Sequence, residues 1–418
     1  MVEYIFRGAL MDKKAIKTIL NFIKALKAPG RMIPVIVALV ITFVRRFAEA
    51  DKAASVKLED QGFVCRKSLN ITGGCGSPAV ALQGDGKVAV VFACSRIVDG
   101  VPVYSLCLSR SDDPQKTSAS GRTFLFDSPM QIGNVTATST SDGLLISWRT
   151  KIPSKLHISS GTEKQVARIL TERNAQLYSQ LSAEDKQGGT YYMILPDNVT
   201  SMQAAGKAPC NITQGAVRLS DNEYLWMGEC DGAAVAYKST DKCRTFTKCG
   251  TVPAIPGGRT VTQVSCAKIR NGRIICVFSS IGELFISYSD DMGSRWSLPH
   301  MLNVRGTSPN LCVRSDGVTA LSYVQPEKKV SLRSMVSPDG QYKWFEERAL
   351  VISTADNCRR PYTAEVDGKF LTVSRQRFAG EKESSVVYTL WEPHKDDKAI
   401  IEESAENKKS SGKKKKKK

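Results

Sequence analysis

The chain has 418 residues, a formal net charge of +18 and 42% hydrophobic residues, enough apolar material for one large all-β domain or two to three average ones. Most of that charge lies at the two ends, in a Lys/Arg-rich lead over residues 1–50 and a tail of eight lysines over 408–418, so the body is close to neutral and a nucleic-acid-binding surface is not implied. Three histidines, twelve cysteines without a CxxC pair, and no phosphate-binding glycine loop leave no metal or cofactor expected.

In chain order, the first segment is a basic stretch followed by the apolar run Ile33–Val44 and small residues at Ala48 and Ala50. This is the form of a secretory signal over residues 1–50; Arg45 and Arg46 leave an uncleaved anchor open, the one route by which a membrane would be involved, and Met11 is an alternative start. Four N-x-[ST] sequons at Asn70, Asn134, Asn198 and Asn211 are candidate glycan sites. With cysteines confined to Cys65–Cys358, they point to an oxidising, secretory compartment, with secretion, lumenal retention or surface display all open. Pairing is expected to be local: Cys65–Cys75, Cys94–Cys107, Cys210–Cys230, Cys243–Cys249, Cys266–Cys276 and Cys312–Cys358.

Residues 55–395 then repeat one form. Six strand–turn–strand segments, with turns at Gly86, Gly143, Asn222, Gly272, Gly317 and Gly368, recur at intervals of about 50 residues, the signature of a six-bladed β-propeller. Residues 162–186 are polar and helix-prone, an insertion in the second unit, and residues 55–65 are available to close the last blade. Residues 396–418 are charged and without apolar content, and are expected to be a disordered tail.

A second repeat follows the third strand of several units. "SYSDDMGSRW" gives Ser289, Asp291, Gly293 and Trp296; other copies give Ser239, Asp241 and Phe246, with Cys243 at the glycine position, then Ser337, Asp339 and Trp344, and Ser111 and Asp113 around an insertion. A serine hydroxyl and an aspartate carboxylate accept backbone N–H groups in a turn, and the aromatic buries a large area, so this is a structural staple rather than a reactive site.

Staples of this form in six such units resemble the Asp boxes of the sialidase superfamily, and the spacing around Trp296 resembles the trypanosomatid sialidases and trans-sialidases. The resemblance covers roughly residues 60–395 and implies the propeller. It also implies a site with three carboxylate-binding arginines, a tyrosine nucleophile with its glutamate, and an aspartate acid/base. The positions matching the first two arginines hold Gly76-Ser77-Pro78 and Ser279-Ser280; the third falls at Lys328 or Lys329, with Arg333 nearby. Asp99 matches the acid/base and Arg96 is its basic neighbour. Gln263 or Val264 stands where the glutamate belongs, and Arg360 at the nucleophile position, with Tyr362 two residues on.

The fold residues are kept and the chemistry-bearing ones are not. The resulting expectation is a degenerate sialidase-like glycoprotein that binds sialylated or other acidic glycans, or a protein partner, with little or no hydrolysis. Arg359, Arg360, Arg375 and Arg377 form a basic end to the pocket, and Asn134 is a further ligand candidate. An active exo-α-sialidase or trans-sialidase, and a purely structural glycoprotein, are the alternatives.

Overall fold

A computed structural model describes residues 56–394, apart from 67–70, 72, 99–100, 114–120, 153–175, 198, 200–204, 326–330, 342, 346–347, 351–354 and 379. The signal or anchor segment, the Lys-rich tail and most of the helix-prone insertion fall outside these residues. Among the described residues no helix is long and apolar enough to cross a membrane.

Six antiparallel sheets form the six blades. Blade I runs β2 (Cys75–Leu82), β3 (Val88–Val98), β4 (Val101–Ser111), β5 (Arg122–Ser128). Blade II runs β6 (Gln131–Thr140), β7 (Gly143–Lys151), β8 (Gly189–Leu195), β9 (Gly206–Lys207). In blade III the innermost strand is split into β10 (Asn211–Ile212) and β11 (Val217–Arg218). Both pair with β12 (Tyr224–Cys230), followed by β13 (Ala233–Ser239) and β14 (Thr247–Thr251).

Blade IV holds β15 (Thr262–Lys268), β16 (Ile274–Ser280), β17 (Glu283–Ser289) and β18 (His300–Arg305). Blade V holds β19 (Thr307–Val313), β20 (Thr319–Val324), β21 (Leu332–Ser337) and β22 (Arg348–Ala349). Blade VI is β23 (Ala355–Val366), β24 (Lys369–Phe378) and β25 (Ser385–Glu392), completed by β1 (Lys57–Cys65) from the other end of the chain, antiparallel to β25. The ring is therefore closed by the segment that the sequence made available for it.

Packing explains a departure from the sequence pattern. Strands such as "ELFISYS" read as alternating, hence buried on one face only. In the structure β16, β20 and β21 are buried at every position and β17 nearly so. Blades stack face to face, so a middle strand has a neighbouring sheet on both sides. Exposure returns only at the rim, where β18 and β14 are mostly exposed or half-buried. Apolar clusters fill the gaps between blades, one joining Leu225 and Met227 of blade III to Val264, Cys276 and Phe278 of blade IV.

The four staples all occupy turns between the third and fourth strands. In the best-formed copy the Ser289 hydroxyl accepts the Gly293 amide (2.9 Å) and Asp291 accepts the Arg295 amide (2.8 Å). The Trp296 indole donates to the Gly293 carbonyl (2.9 Å) and its ring is buried in the cluster between blades III and IV. Gly293 has φ 92°, and a Cβ there would lie 2.7 Å from Leu225, so the turn and the neighbouring blade both require glycine. The copy with Cys243 keeps the same bonds from Ser239 and Asp241, and Phe246 packs on Trp226 and Tyr192. The blade V turn is looser. Ser337 accepts the Gly340 amide and Asp339 the Gln341 amide, while Trp344 is only partly buried. In blade I, Ser111 accepts the Asp113 amide at 3.2 Å.

Candidate functional site

The ends of the inner strands opposite the staples form the mouth of the ring. Five inner strands slip register at the same place, between Gly76 and Ala79, Gly133 and Thr136, Thr262 and Val264, Thr307 and Asn310, and Arg359 and Tyr362. Each slip carries one non-glycine residue in the left-handed region: Ser77 (48°), Asn134 (47°), Gln263 (52°), Ser308 (53°) and Arg360 (53°). Such a backbone costs on the order of 1 kcal/mol per residue, and strain repeated around one ring marks a site where it is retained for a purpose. Blade III reaches the same level by breaking its inner strand at Thr213.

Ser77, Val135, Thr213, Gln263, Ser308 and Arg360, one from each blade, line a hollow on the axis. Water-sized space within it amounts to about 20 Å³, enough for roughly one water. A buried sugar-ring pocket needs several hundred Å³. Among the described residues, this hollow has room for the tip of a group and not for a whole monosaccharide.

Tyr362 forms the floor. Its hydroxyl accepts the Gly215 amide (2.9 Å) and donates to the Ala137 carbonyl (2.8 Å), crossing the axis from blade VI to blades II and III. A Cβ on Gly215 would lie 2.5 Å from that hydroxyl, so the broken inner strand of blade III is shaped around the phenol. Burial pushes the phenol up to about 12, the two amides only partly opposing it. Below it lies a second space of about 190 Å³, lined by Leu82, Ser139, Val217 and other inner-strand residues. The expectation of Tyr362 as a nucleophile is corrected by this geometry: the oxygen is already committed to backbone groups, and no described carboxylate bonds to it.

Blade VI makes the mouth cationic. Arg359 and Arg375 are register partners on β23 and β24, and Arg377 lies two residues beyond Arg375. Arg149, the register partner of Gly133 on β7, joins them from blade II. Arg149, Arg359, Arg375 and Arg377 are exposed, and Arg360 is half-buried. Burial, then the charges of Arg375, Arg359 and Arg149, push the Arg360 guanidinium down to about 10. Arg375 is lowered too, by burial of its stem and by Arg359 and Arg377, with Glu383 opposing. Mutual repulsion of this kind is relieved by an anion.

The Arg375 stem also answers a question left by the sequence. At Gly76, where the resemblance places the first arginine, an added Cβ would lie 3.0 Å from Cδ of Arg375. The Arg375 stem from blade VI therefore runs through the space that a side chain at position 76 would enter. Its Nε donates to the Ser384 hydroxyl (2.9 Å), which donates to the Cys75 carbonyl (2.8 Å), so its position is fixed on both blades.

Other expected residues are placed differently. Arg96 is not available to a ligand: it holds Asp127 through Nε (3.1 Å) and Nη2 (2.7 Å), bonds Ser105, and lies over the Phe124 ring at 3.9 Å. Ser279 and Ser280 are fully buried and bond the carbonyls of Thr262 and Thr260. Arg333, the second residue of β21, is 2% exposed. Gln263, not Val264, faces the hollow, and its side-chain oxygen accepts the Ser308 amide (2.7 Å).

Asn134 is 8% exposed and its side-chain nitrogen, the atom a glycan would occupy, donates to Asn211 (2.8 Å), which donates to Glu229 (3.3 Å). A glycan or a ligand at that nitrogen would have to displace this bond to Asn211. Asp99, Lys329, Asn70 and Asn198 lie outside the described residues.

Sequence reasoning missed Arg149, because nothing in "LLISWRT" marks a strand end that faces the axis. It also missed that the Arg375 stem lies against Gly76. Arg375 and Gly76 are nearly the whole chain apart, and only ring closure brings them together.

No family model matches the chain, and no curated protein is similar to it at a significant level. Solved structures are. A protein of unknown function from Dyadobacter fermentans is 14% identical with a TM-score of 0.59, over 81% of this chain and all of that one. The NanB sialidase of Streptococcus pneumoniae is 11% identical with a TM-score of 0.57, over 78% of this chain and 70% of that one. The Trypanosoma rangeli sialidase, also 11% identical, has a TM-score of 0.50 over 77% of this chain and 55% of that one. At these identities the likeness is one of fold: this chain is a six-bladed propeller like those of the NanB and Trypanosoma rangeli sialidases.

Proposed function

We propose that this propeller binds an anionic group, the carboxylate of a sialylated glycan or the charge of another acidic glycan, at its mouth and does not hydrolyse the glycosidic bond. The observation that carries this reading is the blade VI arginine set, with Arg375 standing in the space before Gly76. Guanidinium groups suit carboxylate and sulfate oxygens through paired N–H donors.

Hydrolysis needs a nucleophile and a proton acceptor. At the matching positions stand Arg360, with the backbone-bonded phenol of Tyr362 two residues on, and the amide of Gln263. A hollow with room for about one water fits recognition of a charged tip rather than encirclement of a sugar. The same reading places the chain in the secretory pathway, as a glycoprotein carrying any glycans away from Asn134, and is supported by its cysteine distribution.

The test pairs binding with turnover. Purified protein is titrated with sialyllactose and with a sulfated disaccharide, and incubated with a fluorogenic sialoside. Salt-sensitive association without product release is expected. Release above the blank returns the active sialidase reading, and neither signal leaves a structural glycoprotein.

A further inference from the structure

Four sulfurs lie along the seam where the ring closes. Cys65 is the last residue of the closing strand β1 and Cys75 the first of β2; their Sγ atoms are 2.9 Å apart. Cys94 on β3 and Cys107 on β4 are 3.2 Å apart. Cys75 and Cys94 are register partners, so the four run in sequence from the outer strand of blade VI across three strands of blade I. All four are buried within one apolar cluster.

We infer that Cys65–Cys75 and Cys94–Cys107 form two disulfides, and that the first is a covalent clasp holding the closing strand of blade VI to the inner strand of blade I. A metal is the competing use of four thiols, but zinc–sulfur bonds of about 2.3 Å in a tetrahedron hold sulfurs roughly 3.8 Å apart. These pairs are closer than that, and among the described residues no three metal-ligating groups are arranged around a common centre.

The clasp matters because β1 is tied to its blade by one strand partner only, whereas the other blades are continuous in sequence. Opening the ring means peeling β1 from β25. A bond from its last residue to β2 does not reach β25, but it replaces the chain of residues 66–74 with a direct link, pins the end of β1 against blade I and so opposes the peeling indirectly. The other pairings expected from sequence are less equally placed. Cys266 and Cys276 are register partners, and Cys312 and Cys358 share a cluster between blades V and VI. Cys243, by contrast, is buried in the blade III staple while Cys249 points its thiol at the Gly293 carbonyl of blade IV.

Closure of the clasp is a thiol–disulfide exchange. Before the seam closes over them, one of the two thiols loses its proton and attacks a low-molecular-weight disulfide, releasing one thiolate. The other thiol then gives up its proton and displaces the second thiolate. One protein S–S bond forms, and the oxidant is reduced to two thiols.

The test is direct because Arg66, Lys87 and Arg96 place each of the four cysteines on a separate tryptic peptide. Full-length protein from a secretory host is alkylated without reduction, digested and mapped by mass spectrometry. Linked Cys65–Cys75 and Cys94–Cys107 peptides are expected. Alkylated Cys65 and Cys75, or a Cys75–Cys94 link, overturns the inference. A second arm measures melting of C65A/C75A beside the parent, with and without reductant. The variant is expected to melt about 5 °C lower than the oxidised parent and to keep only the part of the parent's reductant sensitivity that comes from the remaining pairs. Equal melting of variant and oxidised parent overturns the clasp even where the link is found. Neither arm depends on glycan binding, so the outcome is separate from that of the proposed function.

Discussion

The two ends of the ring hold backbone in the same unusual conformation for different reasons. At the staple end, left-handed residues close a turn whose donors and acceptors lie within eight positions of one another, from Ser289 to Trp296. At the mouth, Ser77, Gln263, Ser308 and Arg360 come from four blades and meet only on the axis. One end is a local device repeated, and the other is a single site assembled from distant pieces. Stability is therefore concentrated at the first and recognition at the second, and substitutions separate the two.

The largest effect is expected at the staple. Trp296→Ala removes a ring buried between blades III and IV together with its bond to the Gly293 carbonyl. A loss of about 3–5 kcal/mol in unfolding free energy is expected, read by chemical denaturation, with affinity for the acidic probe unchanged in protein that remains folded. Unchanged stability with lost binding reverses the assignment of the two ends.

Tyr362 sits between them and tests the boundary. Tyr362→Phe leaves the Gly215 amide and the Ala137 carbonyl without the hydroxyl that joins them across the axis. The expected cost is about 1–3 kcal/mol, with sialoside turnover at background before and after. A parent that turns over sialoside, and a variant that is stable but dead, restores the phenol as a nucleophile.

This contrast also explains what was legible in the sequence. Turn glycines, the 50-residue spacing and the Ser/Asp/aromatic staple are relations among near neighbours, so the ring, its six blades and its closure by residues 55–65 were readable without coordinates. The mouth was readable only as a set of losses. Matching positions one by one finds glycine at Gly76 but not the Arg375 stem that fills its place, because that contact crosses the seam between the first and last blades. Arg96 looked free because its partner Asp127 is two strands away, on β5. Asn134 read as a glycan acceptor because a sequon carries no information on the hydrogen bond its nitrogen makes.

A smaller effect is expected from the arginines. Arg375→Ala and Arg360→Ala each lower affinity for an acidic probe about tenfold, measured by calorimetry at low ionic strength, and the difference narrows as salt is raised. Arg96→Ala, which breaks the Asp127 pair, the Ser105 bond and the Phe124 contact, leaves that affinity in place. Loss of binding in Arg96→Ala with retention in Arg375→Ala moves the site off blade VI and away from the mouth.

The smallest effect is a pH dependence confined to the staple end. The Arg295 guanidinium and amide, helped by Ser289, hold the Asp291 carboxyl at about 2, below its ordinary 3.8. Asp241 is held at about 2 as well; burial opposes this, and the Thr245 hydroxyl and amide overcome it. A folded-state value below the unfolded one means that the carboxylate favours the fold. That contribution is complete above about pH 4 and disappears as pH falls from there through about 2. Asp291→Asn should therefore flatten the dependence of the denaturation midpoint between pH 4 and 2 while leaving its slope above pH 5 alone. Because the Asp291–Arg295 pair is solvent-accessible, added salt should shrink the difference between variant and parent. The arginines of the mouth stay charged throughout this range, so acid weakens the staples without touching the guanidinium groups, and a midpoint that falls equally in parent and variant removes Asp291 as the group responsible.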